Sequence, residues 1–255
     1  EKDDIMYFGS VMDGIRDISA RESITYAPSF GIPALRKKWR ESLYEKNPSL
    51  SGKEVSLPVV TSGITHSISI FSDLFLDPGD TVVIPEMMWG NYNLIMGLRK
   101  GAVFTHFQMF SDAGGFNVNG FESTVASKAK TKQKVIVRLN FPHNPSGYTI
   151  TRKEADQVEE ILVKTAQNGS EVIVACDDAY FGLFYDKEAL SESIFSRLAG
   201  RDPRLMAVKL DGATKENFVW GLRVGFITFG TQVNGDAATF YERSEERRVG
   251  KECRS

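Results

Sequence analysis

Short apolar runs alternate along the chain with longer segments in which apolar residues recur at helical spacing. This alternation is typical of an α/β fold, in which helices lie between successive strands. Several runs are apolar at nearly every position, as expected for a mostly parallel central sheet that is flanked by helices and buried on both faces. The predicted strands cover residues 81–85, 103–107, 134–140, 171–177, 205–210 and 224–229.

The helices predicted between these runs begin at three local signals. Thr151 and Glu154 have the spacing of a capping box, Pro33 suits the first turn of a second helix, and a third helix follows Gly63. Side chains at helical spacing are expected to face the core from each helix in turn: Val158, Ile161 and Leu162; Leu35, Trp39 and Leu43; and Ile68, Phe71 and Phe75.

The two ends of the chain differ from the part between them. The chain begins with Glu1 in a charged stretch, and residues 243–255 are dense in charge and nearly free of apolar side chains. An exposed charged helix is one interpretation of that last stretch, but we favour a foreign tail. The expected organisation is an N-terminal segment over residues 1–30, a large domain over residues 31–240, and a non-native tail over residues 241–255.

Composition and charge narrow the class of protein. The chain is 42% hydrophobic and 25% charged, as is ordinary for a globular protein. Its 31 basic and 33 acidic residues give a net charge of -2, which provides no electrostatic basis for binding nucleic acid or an anionic membrane. We find no secretory signal, no bilayer-spanning apolar run and no metal-site spacing of histidines. Because Cys176 and Cys253 form no disulfide framework, we expect a cytoplasmic protein with a buried Cys176 thiol.

Polar residues follow two predicted strands, at the edge where open α/β sheets bind ligands. The turn Asn-Phe-Pro-His-Asn-Pro-Ser-Gly at residues 140–147 would hold Asn144 at the end of its strand. The segment Asp-Asp-Ala-Tyr at residues 177–180 closes a buried strand with Asp177, which needs a partner for its charge. Strand alternation predicts that Asp178 points to the opposite side. Structural alternatives are a plain turn, a packing role for Tyr180, and a helix cap or solvated loop carboxylate for Asp178.

Three further segments each contribute one feature: a lysine, a candidate anion site and an aromatic ring. Lys215 follows an apolar strand in a loop of small residues, and Arg223 comes eight residues later, before the next strand. Residues 63–65 begin a helix, where converging amides and the helix dipole favour an anion. Trp89 lies in a loop after a strand, where it could stack on a planar ring. A solvated lysine, an ordinary helix start and a packed tryptophan are the alternatives.

In their order along the chain, these five segments resemble those of class I/II aminotransferases of the aspartate-aminotransferase type, which have fold type I. The resemblance extends from about Tyr26 to Phe229 and includes the lysine-to-arginine spacing. It implies a pyridoxal 5'-phosphate cofactor, held by Lys215 as a Schiff base, with Asp177 facing the ring nitrogen. The other matching positions are Tyr180 and Asn144 at the ring oxygen, Trp89 as the stacking aromatic, and Gly63, Ile64, Thr65 and Arg223 at the phosphate.

The resemblance also implies a partner subunit and exposes departures. Tyr26 matches a tyrosine that reaches the phosphate of the neighbouring subunit, which implies a homodimer. Gly212 stands where many relatives have a hydroxyl, and Thr214 carries the nearest one. Relatives have an N-terminal segment and a small C-terminal domain, and that domain carries an arginine for the substrate carboxylate. We find neither of these parts in the sequence. We therefore expect a fragment that turns over amino acids poorly. In the alternative, the sequence is complete and Arg138 or Arg243 binds the carboxylate.

The activity implied by the resemblance is transfer of an amino group from an amino acid to a 2-oxo acid, both small molecules. Another reaction of the same cofactor, β-elimination or decarboxylation, remains an alternative because a fold does not fix a reaction. A non-catalytic, cofactor-binding sensor domain is the second alternative. The products that the full-length protein forms from an amino acid and an oxo acid separate the three.

Overall fold

The computed structural model of the chain describes residues 5–131 and 133–231. In these residues, seven strands form one sheet: β1 (Val59–Thr61), β2 (Thr81–Pro85), β3 (Val103–Phe107), β4 (Lys134–Asn140), β5 (Glu171–Asp177), β6 (Leu205–Asp211) and β7 (Gly225–Gly230). Their spatial order is β1-β7-β6-β5-β4-β2-β3. The strands from β2 to β6 pair in parallel, whereas β7 is antiparallel to both of its neighbours, β6 and β1.

Helices connect the strands and cover the sheet. They are α1 (Gly9–Asp17), α2 (Ala20–Ser23), α3 (Pro33–Lys46), α4 (Ile64–Phe75), α5 (Val118–Thr131), α6 (Arg152–Gln167), α7 (Ile194–Leu198) and α8 (Ala213–Glu216). Two short 3-10 helices, Pro48–Leu50 and Trp220–Leu222, and a π-helical turn, Asn93–Leu98, complete the regular structure of the described residues.

The strand predictions are confirmed with one-residue shifts at three ends. β2, β3, β4 and β5 have the predicted bounds, β6 extends one residue further to Asp211, and β7 runs from Gly225 to Gly230 rather than from Val224 to Phe229. The predicted α/β fold with a mostly parallel sheet is therefore confirmed. The three-residue strand β1 was not predicted, because an edge strand this short carries no apolar periodicity of its own.

The helix signals are confirmed, but one predicted core position is wrong. The Thr151 side chain accepts a hydrogen bond from the Glu154 amide, and the Glu154 side chain accepts one from the Thr151 amide. In α3, Leu43 is buried, but Leu35 is 39% exposed and its neighbour Arg36 is buried instead. The Nε of Arg36 donates to the carbonyl of Pro58 at 2.7 Å, and its guanidinium lies over the ring of Phe30. These contacts rotate Leu35 out of the core.

The sheet separates two apolar cores. Alternate residues of each central strand belong to one core or the other: in β5, Val174 and Cys176 face the first core, and Ile173 and Ala175 face the second. The burial of Cys176 confirms the prediction for that thiol. Because this alternation continues to the end of β5, neighbouring side chains there contact different partners.

The N-terminal helices add little to this core. Helices α1 and α2 bury none of their side chains. No helix in residues 5–131 and 133–231 is long and apolar enough to cross a membrane. Within the same residues, no group of His, Cys, Asp and Glu side chains could hold a metal ion. Cys253 and the predicted tail over residues 241–255 lie outside the described residues.

Candidate active site

A cavity of about 110 Å³ opens at the carboxyl ends of the parallel strands. Strands β4 and β5 end at this edge, and helices α4 and α8 begin beside it. This is the edge at which open α/β sheets bind ligands. The residues that line the cavity are Ile64, Thr65, Trp89, Tyr92, Asn140, Asn144, Asp177, Ala179, Tyr180 and Lys215.

Asp177 supplies a buried carboxylate to this cavity. Its Oδ2 accepts hydrogen bonds from the Tyr92 hydroxyl at 2.5 Å and from Nη2 of Arg138 at 2.9 Å, and its Oδ1 accepts one from the Ala179 amide at 3.0 Å. Burial raises the pKa of Asp177, while Arg138 and, more weakly, Lys215 act in the opposite direction. The carboxyl is therefore held by donors that favour its ionised form.

Asp178 has a separate set of partners. It pairs with the buried ammonium of Lys209 and accepts a hydrogen bond from the Ser193 hydroxyl at 2.5 Å. Burial raises the pKa of Asp178 to about 6, against the effect of Lys209. The interpretation of Asp178 as a helix cap or solvated loop carboxylate is wrong, because its side chain is 2% exposed and ion-paired. Asp177 lines the cavity and Asp178 does not.

Lys215 extends into the cavity from α8. Its Nζ lies 4.9 Å from the centre of the Tyr180 ring, and the side chain is half-buried. Burial lowers the pKa of Lys215, with Asp177 opposing that shift and Arg223 adding to it. A lysine with a lowered pKa is more readily available as a neutral amine, the form that acts as a nucleophile and as a base.

The N-terminus of α4 and Arg223 form a cradle at one end of the site. Gly63 has a φ of 92°, and a Cβ added there would lie 2.8 Å from Nη2 of Arg223. The first backbone hydrogen bond of α4 runs from the His66 amide to the Gly63 carbonyl. The amides of Ile64 and Thr65 come before it, at the open N-terminal turn of the helix. A guanidinium beside a helix N-terminus favours an anion.

Close approach of β7 explains two glycines near this cradle. A Cβ added at Gly225 would lie 2.5 Å from the carbonyl carbon of Gly63, so the start of β7 touches the start of α4. A Cβ added at Gly212 would lie 2.5 Å from the Val224 carbonyl oxygen, so the backbone leaves no room for a hydroxyl-bearing side chain at position 212. Thr214 is buried and does not line the cavity.

Asparagines tie the turn after β4 to β5. The Asn140 side chain donates to the Asp177 carbonyl at 2.7 Å and accepts from the Asn144 amide at 2.8 Å. Asn144 is thereby held over the cavity beside Tyr180. Trp89 is half-buried, with its ring edge-on to Tyr92 at 5.5 Å between centroids.

The family model described as aminotransferase class I and II matches residues 8–240. The chain belongs to this family. It is 29% identical over 205 residues to an aspartate aminotransferase of Sulfolobus acidocaldarius, and the alignment covers 79% of this chain and 47% of that protein. It is 26% identical over 204 residues to an arginine–pyruvate transaminase of Pseudomonas aeruginosa, with the same two shares. The chain thus spans about half the length of the curated relatives it matches.

Solved aminotransferase structures have the same fold as this chain. A crystal structure of an aminotransferase from Anaerococcus prevotii superimposes with a TM-score of 0.84 at 23% identity, covering 94% of this chain and 58% of that one. A mutant Thermus thermophilus aspartate aminotransferase gives a TM-score of 0.72 at 21% identity, covering 95% and 61%. These likenesses place the described sheet and helices in fold type I.

Two buried residues beside this cavity were missed or misinterpreted at the level of the sequence. The hydroxyl of Tyr92 donates to Asp177, although sequence reasoning gave Tyr92 no role. Arg138, considered above as a residue for the substrate carboxylate, is 1% exposed and paired with Asp177, so that interpretation is wrong. An arginine within an otherwise apolar strand was the signal, because a buried charge needs a partner. Arg243 lies outside the described residues.

Tyr26 is the predicted site residue that the structure does not bring to the cavity of its own chain. Its side chain is fully exposed, beside a shallow groove lined by residues between Ile18 and Ile32. Gly63 and Arg223 lie next to the cavity, and the other predicted residues line it.

Proposed function

We propose that this chain is the cofactor-binding part of a pyridoxal-phosphate-dependent aminotransferase, which transfers an amino group from an amino acid to a 2-oxo acid. The observation that carries the proposal is the convergence of Lys215 and Asp177 on one cavity, beside the cradle of Gly63 and Arg223. Membership of the class I and II aminotransferase family supports it. We assign the cofactor-binding domain to residues 31–240, with residues 1–30 leading into it and residues 241–255 as a tail.

The residues present fit pyridoxal phosphate. The cofactor carries an aldehyde, a phosphate, a ring oxygen and a ring nitrogen, and the cavity offers a complement to each. The amine of Lys215 would bind the aldehyde, the amides of α4 with Arg223 the phosphate, and Asp177 the protonated nitrogen. Tyr180 and Asn144 would donate to the ring oxygen, and Trp89 would stack on the ring.

The bound cofactor supplies an electron sink for the amino-acid substrate. The groups of the protein position the substrate and transfer its proton. The amine of Lys215, freed when the substrate amine takes its place on the aldehyde, would remove a proton from the substrate α-carbon and deliver it as general acid to the former aldehyde carbon. Asp177, fixed by Tyr92 and Arg138, presents a negative charge where the ring nitrogen needs it. The phosphate cradle and Trp89 keep the ring in place so that the α-carbon stays within reach of Lys215.

Three further proposals complete this function. The full-length protein acts as a homodimer, in which the exposed Tyr26 of one subunit reaches the phosphate of its neighbour. It works in the cytoplasm. β-Elimination, decarboxylation and a sensor role are less favoured, because the relatives are named aminotransferases and transaminases.

Substituting Asp177 by asparagine tests the proposed reaction. In the full-length protein loaded with cofactor, we expect a half-reaction with a panel of amino acids to release 2-oxo acids. Asp177→Asn should bind cofactor but slow this half-reaction by about a hundredfold to a thousandfold, because a neutral amide no longer stabilises the protonated ring. Oxo-acid release in a single turnover is the measurement.

Asp178→Asn is the matched control for this test. It should stay within about tenfold of the parent rate, because Asp178 lies away from the cavity and pairs with Lys209. A larger loss of rate in Asp178→Asn than in Asp177→Asn would contradict the assignment. Release of elimination or decarboxylation products, or binding without turnover, would replace transamination by the corresponding alternative.

Substituting Gly63 by alanine tests the phosphate cradle. The added Cβ would lie 2.8 Å from Nη2 of Arg223 and strain a backbone at positive φ, so it displaces the guanidinium. We expect the dissociation constant for pyridoxal phosphate to rise by about tenfold to a hundredfold, the effect of losing one charged hydrogen bond. Gly221→Ala is the control, because a Cβ there meets nothing within 4 Å. Equal affinities of the two variants would refute the cradle.

A further inference from the structure

Arg138 is a charged side chain buried inside β4. It is 1% exposed, and its Nη2 donates to Oδ2 of Asp177 at 2.9 Å. The guanidinium carbon lies 3.7 Å from the centre of the Tyr92 ring. Within the described residues, its Nε and Nη1 have no hydrogen-bond partner. The Asp177 carboxylate is therefore the one charged group to which this arginine is bonded there.

Packing alone does not account for an arginine at this position. The core on this side of the sheet is otherwise apolar around it, with Ile136 on the same strand and Ala175 opposite on β5. A buried arginine with two unsatisfied donors is less favourable than an apolar side chain of similar volume. Its contribution is therefore expected at its partner, Asp177.

The surroundings of Asp177 leave Arg138 as its main cation. Lys209 is paired with Asp178 and Asp211, and Lys215 is the amine that must become neutral to react. Burial and Arg138 lower the pKa of His143 to about 4, so His143 is uncharged at neutral pH. The titratable or charged groups facing Asp177 are Arg138 from β4, Tyr92 from the turn before the π-helix, Lys209 from β6, Lys215 from α8, and Cys176 and Asp178 on its own segment.

We propose that Arg138 is a positioning residue that keeps the Asp177 carboxylate ionised and fixed for the ring nitrogen of the cofactor. This inference rests on the proposed function. Without the guanidinium, a carboxyl in this apolar setting takes up a proton at higher pH, because burial disfavours the anion. A protonated Asp177 cannot pair with a protonated ring nitrogen. Arg138 therefore acts through Asp177 without touching the cofactor.

The test compares pyridoxal phosphate with its 1-deaza analogue, in which carbon replaces the ring nitrogen. The ratio of their two dissociation constants is measured against pH for the parent chain, Arg138→Met and Arg138→Lys. Titration of the phosphate cancels in this ratio, because both compounds carry it. The parent should prefer pyridoxal phosphate down to acid pH. In Arg138→Met the preference should disappear near neutral pH and return about one to three pH units higher, and Arg138→Lys should retain most of it.

A second readout needs no cofactor. Carbon-13 NMR of the aspartate side chains, assigned with Asp177→Asn, should show a higher carboxyl pKa for Asp177 in Arg138→Met than in the parent. Arg138→Gln replaces the methionine variant if that variant unfolds, because glutamine is also uncharged. An unchanged pKa of Asp177, or equal losses of affinity for both compounds without a pH shift, overturns the proposal. A parent chain that prefers neither compound overturns the proposed function, and NMR then decides separately whether Arg138 controls Asp177.

Discussion

Replacing Lys215 by alanine is expected to slow the amino-acid half-reaction of the full-length protein by about a hundredfold to ten-thousandfold, the contribution of a positioned general acid–base group. The amine lies in the cavity over the Tyr180 ring, and burial lowers its pKa towards the reactive neutral form. No other lysine of the described residues lines this cavity. The rate of oxo-acid release under saturating amino acid gives the measurement.

Lys46→Ala is the control for that substitution. The ammonium of Lys46 pairs with Glu216, the residue next to Lys215, at 2.6 Å. Its loss removes a positive charge from the same neighbourhood without touching the cavity. We expect the control to retain the parent rate, and a parent-like rate in Lys215→Ala would contradict the assigned role.

Replacing Lys209 by methionine is expected to lower the free energy of unfolding by about 3–5 kcal/mol, as for other buried pairs broken at one partner. The ammonium pairs with Asp178 and with Asp211, the latter at 3.2 Å. Burial disfavours the charge on Lys209, but the two carboxylates together outweigh it and raise its pKa. Methionine leaves both carboxylates buried without their cation. Urea denaturation of the chain measures the loss.

Two comparisons separate this effect from general damage. Lys164→Met breaks an exposed pair with Glu160 on α6, which should change stability by less than about 1 kcal/mol. Adding Asp178→Asn and Asp211→Asn to Lys209→Met should recover part of the loss, because no unpaired charge remains. A Lys209→Met variant as stable as the parent would show that the carboxylates find other partners.

Strand prediction succeeded where the chain is apolar at nearly every position. β4 and β5 are buried on both faces and end in polar residues, so their bounds follow from composition alone. Helix α3 shows the limit of periodicity. Leu35 has helical spacing to Trp39 and Leu43, but Arg36 takes the buried place through its contacts with Pro58 and Phe30. A contact between distant segments decided that rotation, and no local pattern encodes it.

The site residues also divide into those that could be predicted from the sequence and those that could not. Lys215, Asp177 and Asn144 stand at the ends of predicted strands, so their convergence follows from sheet geometry. Arg138 and Lys209 lie inside apolar strands, and their partners depend on which strands are neighbours. Strand order was not part of the sequence prediction. A charged residue inside an apolar strand indicates a buried ion pair, but its partner can be identified only when the order of the strands in the sheet is known.

The most direct test of the account is to find which lysine holds the cofactor. The chain is loaded with pyridoxal phosphate, reduced with borohydride, digested and mapped by mass spectrometry. We expect a phosphopyridoxyl group on Lys215, which among the described residues is the one lysine that lines the cavity. Modification of a different lysine, or of none under conditions where the cofactor binds, would contradict it.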